Sequence, residues 1–407
     1  MDLSRLATDR VVQACSVAPA VVLMGARGVG KSSLVTGSPS PGPRRFLRLD
    51  DPQIRAEAVE SPREFLTQAP FLVLDEIQRV PELLAAVARL LDDPPQRRPG
   101  RFIITSSANL FRLRRATDTL AGLAIYTTLW PLTRRELLGS GKAGIWSELE
   151  RTPSASWPDL LLRKDAAAEN WCDFAQRGGY PQLASAANSS ERTSWRQEYI
   201  ESYLDRDLPQ LSAIENPAEF LRLMKVACRQ LGRVVNKTEW GREASIPPTT
   251  VDRYLDLLET SYQLIRVGAY DEPCGKRLIT SPKAYWSDTG LAMHLSGESS
   301  CRRAHFENLV LNDLVAWRAG QSPRTRIMHW RTTVGADVSF VIQFADESVL
   351  GIQISEGAEP TASELTSINL FLSEYGAAAR GGIVLHGGSE IRLLQDRLVA
   401  APWSAVL

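Results

Sequence analysis

Residues 25–32 read Gly25-Ala26-Arg27-Gly28-Val29-Gly30-Lys31-Ser32, and they follow directly on the apolar run Val21-Val22-Leu23-Met24. The octapeptide fits G-x-x-x-x-G-K-[S/T], and its context, with a strand before it and a helix beginning near Ser32, is the one that loop requires. Its glycines let backbone N–H groups converge without a Cβ in the way, and the helix start adds a positive dipole end. Lys31 can then reach terminal phosphates, and the Ser32 hydroxyl can hold Mg²⁺. The nucleotide-binding set predicted here is Gly25, Ala26, Arg27, Gly28, Val29, Gly30, Lys31, Ser32 and Ser33.

Outward from this loop, residues 1–140 alternate helical segments with short apolar runs: Val21 to Met24, Phe46 to Leu49, Phe71 to Leu74, Phe102 to Thr105 and Ile125 to Leu129. Continuous rather than alternating hydrophobicity predicts a parallel sheet covered by helices on both faces, an α/β domain. The run Phe71 to Leu74 ends in Asp75-Glu76, so a strand would deliver two carboxylates to the ligand edge. Asp75 is the expected second partner of Mg²⁺, through water, and Glu76 the group that polarises the attacking water. Ser107, closing Ile103-Ile104-Thr105-Ser106-Ser107, is the expected γ-phosphate monitor. Asp50-Asp51-Pro52 reads as a helix cap rather than a nucleotide contact.

Balanced charge, 47 Lys and Arg against 47 Asp and Glu in 407 residues, excludes a global basic field for nucleic acid and leaves only local patches. The five cysteines, Cys15, Cys172, Cys228, Cys274 and Cys301, are scattered and odd in number, so neither a disulfide framework nor a zinc ribbon is expected. His294, His305, His329 and His386 form no metal-binding pattern. With no leader-like start and no apolar run of membrane-spanning length, the expectation is a soluble cytoplasmic protein with no membrane contact. Near residue 236 the pattern changes. Asn236 caps a predicted helix from Lys237 to Ala244, Ser245-Ile246-Pro247 turns, and Pro248 opens a second helix to about Glu259. Val251, Leu255 and Leu258 face a core, which leaves Thr249, Thr250 and Arg253 as possible DNA contacts. Asp252, Asp256 and Glu259 on the same helix oppose phosphate binding. A β-wing is expected over Tyr262 to Gly268 and Lys276 to Ile279.

The order of the glycine loop, Asp75-Glu76, the hydroxyl strand and Ala121-Gly122-Leu123 before Pro131-Leu132-Thr133-Arg134-Arg135-Glu136-Leu137 resembles the prokaryotic AAA-type ATP-binding proteins that carry a C-terminal domain of unknown function. Gly178-Gly179-Tyr180-Pro181, Tyr203-Leu204-Asp205-Arg206-Asp207, Lys283 to Leu291 and Phe306-Glu307-Asn308 extend the likeness over nearly the whole chain. The resemblance implies ATP as the nucleotide, an additional-strand P-loop fold, a winged helix and a restriction-endonuclease-like C-terminal fold. The expected segments are an ATPase domain over 1–140, a helical lid or connector over 141–215, the winged helix over 216–298 and a degenerate nuclease-like domain over 299–407. Where the family has arginine after Ala-Gly, this chain has Leu123, so a charge-stabilising group is missing from that place. Arg112, Arg114, Arg115 or Arg206 are the substitutes on offer.

In nucleases of the implied fold, a strand Asp and a later Glu-x-Lys hold Mg²⁺ and the scissile phosphate. Here Ser339, Gln353 and Ser355 occupy those places, with Asp337 and Glu307 the nearest carboxylates in prospect. The sequence thus predicts an ATP-binding protein with slow Mg²⁺-dependent turnover, acting as a switch on DNA or a protein partner. The alternatives are a non-hydrolysing scaffold that regulates a separate effector, of phage-defence or toxin-antitoxin type, and, last, an ATP-dependent nuclease. Self-association is left open.

Overall fold

The computed structural model describes residues 4–37, 43–113, 120–162, 170–212, 214, 216–272, 275 and 277–407, and these divide into two compact units. The first unit comprises 1–132, 180–217 and 253–263; the second comprises 133–179, 218–252 and 264–407.

In the first unit, β1 (Ala20–Met24), β2 (Arg45–Arg48), β3 (Leu72–Asp75), β4 (Phe102–Ser106) and β5 (Ala124–Thr128) form one sheet in the order β2-β3-β4-β1-β5. Every pairing is parallel. All residues of β1, β3 and β4 are buried, as a sheet covered on both faces requires. Parallel strands place all their C-terminal ends on one edge, and there Met24, Asp75 and Ser106 each hand the chain to the residues of the site. Asp51 caps the helix Pro52–Glu60, its carboxylate accepting from the Gln53 N–H at 2.8 Å, the structural role read from its sequence.

The second unit contains the antiparallel pair β6 (Leu264–Val267) and β7 (Lys283–Trp286). It also contains a mixed sheet of β8 (Arg326–Arg331), β9 (Asp337–Gln343), β10 (Val349–Ser355), β11 (Ala379–His386), β12 (Arg392–Gln395) and β13 (Leu398–Pro402), in the order β12-β13-β11-β10-β9-β8. The helices Lys237–Ala244, capped by the Asn236 side chain, and Pro248–Thr260 have the bounds expected of them. The expected pairing over Lys276 to Ile279 is not what forms: β6 pairs with β7, whose four residues are all buried, whereas Leu278 only bridges to Thr332 and Lys276 lies outside the described residues. The Lys-Arg start of the expected segment is polar, and the apolar Ala284-Tyr285-Trp286 run offers a strand far more surface to bury.

Several family-like motifs prove to be joints. Gly178 (φ +75°) ends the helix Trp171–Arg177, and a Cβ there would lie 2.5 Å from Asp288 Oδ1. Asp288 accepts the Gly179 N–H at 2.6 Å while capping the helix Thr289–Ser296 through the Leu291 N–H. Asp313 is a buried joint of the same kind, accepting from the Gly144 N–H and from Trp146 Nε1 at 2.6 Å. Burial, only partly offset by these donors, pushes its carboxyl from 3.8 up to about 6. A carboxyl raised on folding stabilises the fold below its unfolded pKa, and this contribution disappears as pH rises through the folded value. The melting temperature of the wild type minus that of Asp313→Asn is therefore expected to fall as pH rises from about 4 to 7, followed by thermal unfolding across that range.

Candidate functional site

The turn after β1 is made possible by glycine at three left-handed positions, Gly25 (φ +151°), Gly28 (φ +79°) and Gly30 (φ +97°). At Gly25 no other residue fits, since a Cβ would stand 2.1 Å from the Leu129 carbonyl oxygen. Ala26 and Val29 are buried beneath the loop, Ser33 faces solvent, and Arg5 holds the Val29 and Trp130 carbonyls at 2.8 and 2.7 Å. The rings of Tyr180 and Tyr199 lie against Gly28, their hydroxyls joined at 2.9 Å.

Lys31 is only 4% exposed, and its ammonium donates to the Gly25 and Ala26 carbonyls at 2.8 and 2.9 Å and to Ser107 Oγ at 2.9 Å. Burial lowers its pKa, while Glu76 and Asp75 work to keep it charged. Ser107 Oγ in turn donates to Glu76 Oε1 at 2.8 Å, so the three residues expected to be catalytic form one chain, Lys31–Ser107–Glu76. Burial opposes the Glu76 charge, but Lys31, Gln78, Ser107 and Arg27 together bring its pKa below the ordinary value. Glu76 itself sits in left-handed backbone (φ +63°), a conformation that costs a non-glycine residue roughly 1–2 kcal/mol. That turn directs its carboxylate back toward Ser107.

Beside this chain, the Ser32 hydroxyl lies 3.1 Å from both oxygens of Asp75. Asp75 is buried, its pKa raised by that burial, and it accepts from Thr105 Oγ1 at 2.5 Å. A glycine-lined turn, an ammonium with only neutral protein partners and a hydroxyl against a carboxylate are the donor set that suits a triphosphate and Mg²⁺.

Three participants carry no role expected from the sequence. Thr105 links both carboxylate positions, donating to Asp75 and accepting the Glu76 N–H at 3.1 Å. Gln78 donates to Glu76 Oε2 and accepts from Ser106 Oγ and the Ser107 N–H. Asp207 forms a 2.6 Å ion pair with Arg27 of the loop. Its place within Tyr203–Asp207, a π-helical turn between the helices Ser189–Ser202 and Leu208–Leu211, is the one signal that was available. A narrow cleft opens between Arg27, Gln78, Ser107 and the Tyr203–Leu211 segment.

The arginine question takes a different form in the structure. Leu123 precedes β5 at the sheet edge opposite the loop, its carbonyl accepting the Ala20 N–H, and the whole of β5, roughly 17 Å, separates it from that loop. A longer side chain there would not reach this chain's own phosphate site. Arg112 is engaged by Glu259 at 2.9 Å and Asp256 at 3.7 Å, Arg206 is exposed, and Arg114 and Arg115 lie outside the described residues. Thr249 and Arg253 are exposed and Thr250 half-buried; Asp252 pairs with Lys237 at 2.6 Å. Of the three carboxylates expected to repel phosphates, Asp252 is paired with Lys237, while Asp256 and Glu259 share the one guanidinium of Arg112.

Residues 17–138 match the family described as AAA domain, residues 168–302 a domain of unknown function (DUF8612), and residues 302–406 a second domain of unknown function (DUF4143). The chain is an AAA-type P-loop protein that carries a C-terminal domain of unknown function. It is 26% identical over 420 residues to an uncharacterized protein of Mycobacterium tuberculosis, covering 99% of this chain and 84% of that one. Among solved structures it is similar to a Walker-type ATPase of Pyrococcus abyssi, at 14% identity and a TM-score of 0.42, over 71% of this chain and 94% of the other. It is also similar to AMPPCP-bound DnaA of Aquifex aeolicus, at 15% identity and a TM-score of 0.32, over 64% and 88%. Among the described residues, no helix is long and apolar enough to cross a membrane.

Thr105→Val keeps the side-chain shape but leaves Asp75 and the Glu76 N–H each short of a partner. It is expected to destabilise the fold by roughly 1–3 kcal/mol in urea unfolding.

Proposed function

We propose that the chain binds ATP with Mg²⁺, hydrolyses it slowly and uses the nucleotide state to change how it engages DNA or a protein partner. The observation that carries this reading is the continuous Lys31–Ser107–Glu76 chain set beside Ser32 and Asp75. Lys31 and the loop N–H groups would hold the phosphates, Ser32 and Asp75 the metal ion, and Glu76 would orient water and accept its proton. Bound Mg²⁺ supplies charge neutralisation of the phosphate oxygens. Ser107, which already touches both Lys31 and Glu76, is placed to report a phosphate between them.

Slow turnover fits the engagement of two nearby arginines. Arg27 is paired to Asp207 and Arg112 to Glu259, so neither is available to stabilise developing charge without first giving up its partner. The same Arg27–Asp207 pair supports the switch: a triphosphate competes with Asp207 for Arg27, and release of Asp207 frees the π-helical turn that holds it. We assign the lid or connector role to 141–215, a winged-helix role to 216–298 and a degenerate nuclease-like role to 299–407. The paired carboxylates of the helix Pro248–Thr260 leave Thr249, Thr250 and Arg253 available for DNA.

Steady-state phosphate release from ATP and Mg²⁺ tests the reading. Turnover is expected in the wild type, lost with Lys31→Ala, lowered about 100-fold or more with Glu76→Gln, and changed by duplex DNA. Nucleotide binding without release above Lys31→Ala would instead favour a non-hydrolysing scaffold that regulates a separate effector.

A further inference from the structure

The second unit holds a polar cavity of about 230 Å³ whose chemistry the nucleotide site does not use. Its floor is made of neutralised charges. Arg303, the first residue of the helix Arg303–Arg318, lies between two buried carboxylates, with Nε 3.1 Å from Glu307 and Nη1 3.0 Å from Glu364. Glu307 also accepts from Ser339 Oγ and Tyr285 OH, both at 3.0 Å. Lys283, 2% exposed, reaches both oxygens of Asp337 at 2.9 Å. A guanidinium thus stands where a metal ion bridging Glu307 and Glu364 would have to sit. The position of a third metal ligand is filled by Ser339, whose N–H donates to Gln353 Oε1, and Ser355 is spent on the Glu359 carbonyl. Among the described residues no group of acidic, His or Cys side chains is placed to hold a metal ion. The residues do not fit metal-dependent cleavage.

Two further arginines line the same cavity and are not neutralised. Among the described residues, neither the Arg233 nor the Arg331 side chain has a hydrogen bond or ion pair, and Arg331 Nε is buried with no partner atom there. Four cations against three carboxylates leave one positive charge in excess, and the excess is on the two groups that have donors to spare. Guanidinium forks with free donors match the paired oxygens of a phosphate, and the cavity has room for a phosphate group. We propose that this cavity is a metal-independent phosphate-binding site, in which Arg233 and Arg331 hold the phosphate of a nucleotide or nucleic-acid strand above the Arg303–Glu307–Glu364 floor.

Fluorescence anisotropy of a labelled single-stranded DNA dodecamer bearing a 5′-phosphate, in EDTA, tests this with the full chain, run as wild type and again with Lys31→Ala so that the P-loop does not contribute. Binding that inorganic phosphate displaces is expected in both. Arg331→Ala and Arg233→Glu are each expected to weaken it roughly tenfold or more. Arg331→Lys, which keeps the charge and removes the fork, is expected to fall between, and it carries the test if Arg331→Ala lowers the melting temperature. Preference for the phosphorylated strand over its 5′-hydroxyl counterpart assigns the site to a terminal phosphate, and equal binding assigns it to backbone phosphate. No binding in EDTA, or binding that Arg233→Glu and Arg331→Lys leave unchanged, overturns the proposal.

Discussion

The ammonium of Lys31 is a buried charge, and the geometry of the nucleotide site follows from keeping it satisfied. A charge taken out of water is tolerated only with close polar partners, and Lys31 finds them in two loop carbonyls and Ser107. The carbonyls are available because three glycines bend the loop over the lysine. Ser107 is available because β4 lies beside β1, so that both strands end at the same edge. Glu76 completes the charge balance from β3, reached through a strained left-handed turn that Thr105 and Gln78 support. A phosphate entering this loop would take over donors that now serve the protein's own oxygens, exchanging one satisfied set for another.

The loop is also tied to helical chain outside the sheet. Tyr180 and Tyr199 rest on Gly28, and Asp207 holds Arg27. Burial raises the pKa of Asp207 while Arg27 lowers it, the mark of a carboxylate whose charge is tolerated chiefly because its cation is near. Loss of that cation to a triphosphate would leave Asp207 poorly solvated in a π-helical turn, which is a physical reason for the segment to rearrange.

The five strands of the first sheet, the loop, Asp75, Glu76, Ser107 and the helices after Asn236 and Pro247 were legible because each carries a local signal: continuous hydrophobicity, a spaced glycine pattern, an acid pair at a strand end or a capping residue. Gln78 and Thr105 were not, since their roles depend on strand order and on the turn at Glu76, which no short stretch encodes. Leu123 was read as a gap in the site because linear order says nothing about which sheet edge a residue occupies. The expected strand over Lys276 to Ile279 is replaced as partner of β6 by Lys283–Trp286, an apolar run lying beyond a polar stretch, because burial rather than position along the chain selects the strand. In the C-terminal sheet the replaced residues Ser339, Gln353 and Ser355 were visible, whereas the guanidinium of Arg303 between two carboxylates was not.

The central claim is that nucleotide in the loop frees the segment held by Asp207. Amide hydrogen exchange over residues 203–211, measured with and without a non-hydrolysable ATP analogue and Mg²⁺, addresses it directly. Faster exchange on nucleotide binding in the wild type, with Asp207→Asn already fast and insensitive to nucleotide, is the predicted result. Exchange in this segment that stays the same in both nucleotide states, while the loop itself becomes protected, would contradict the account.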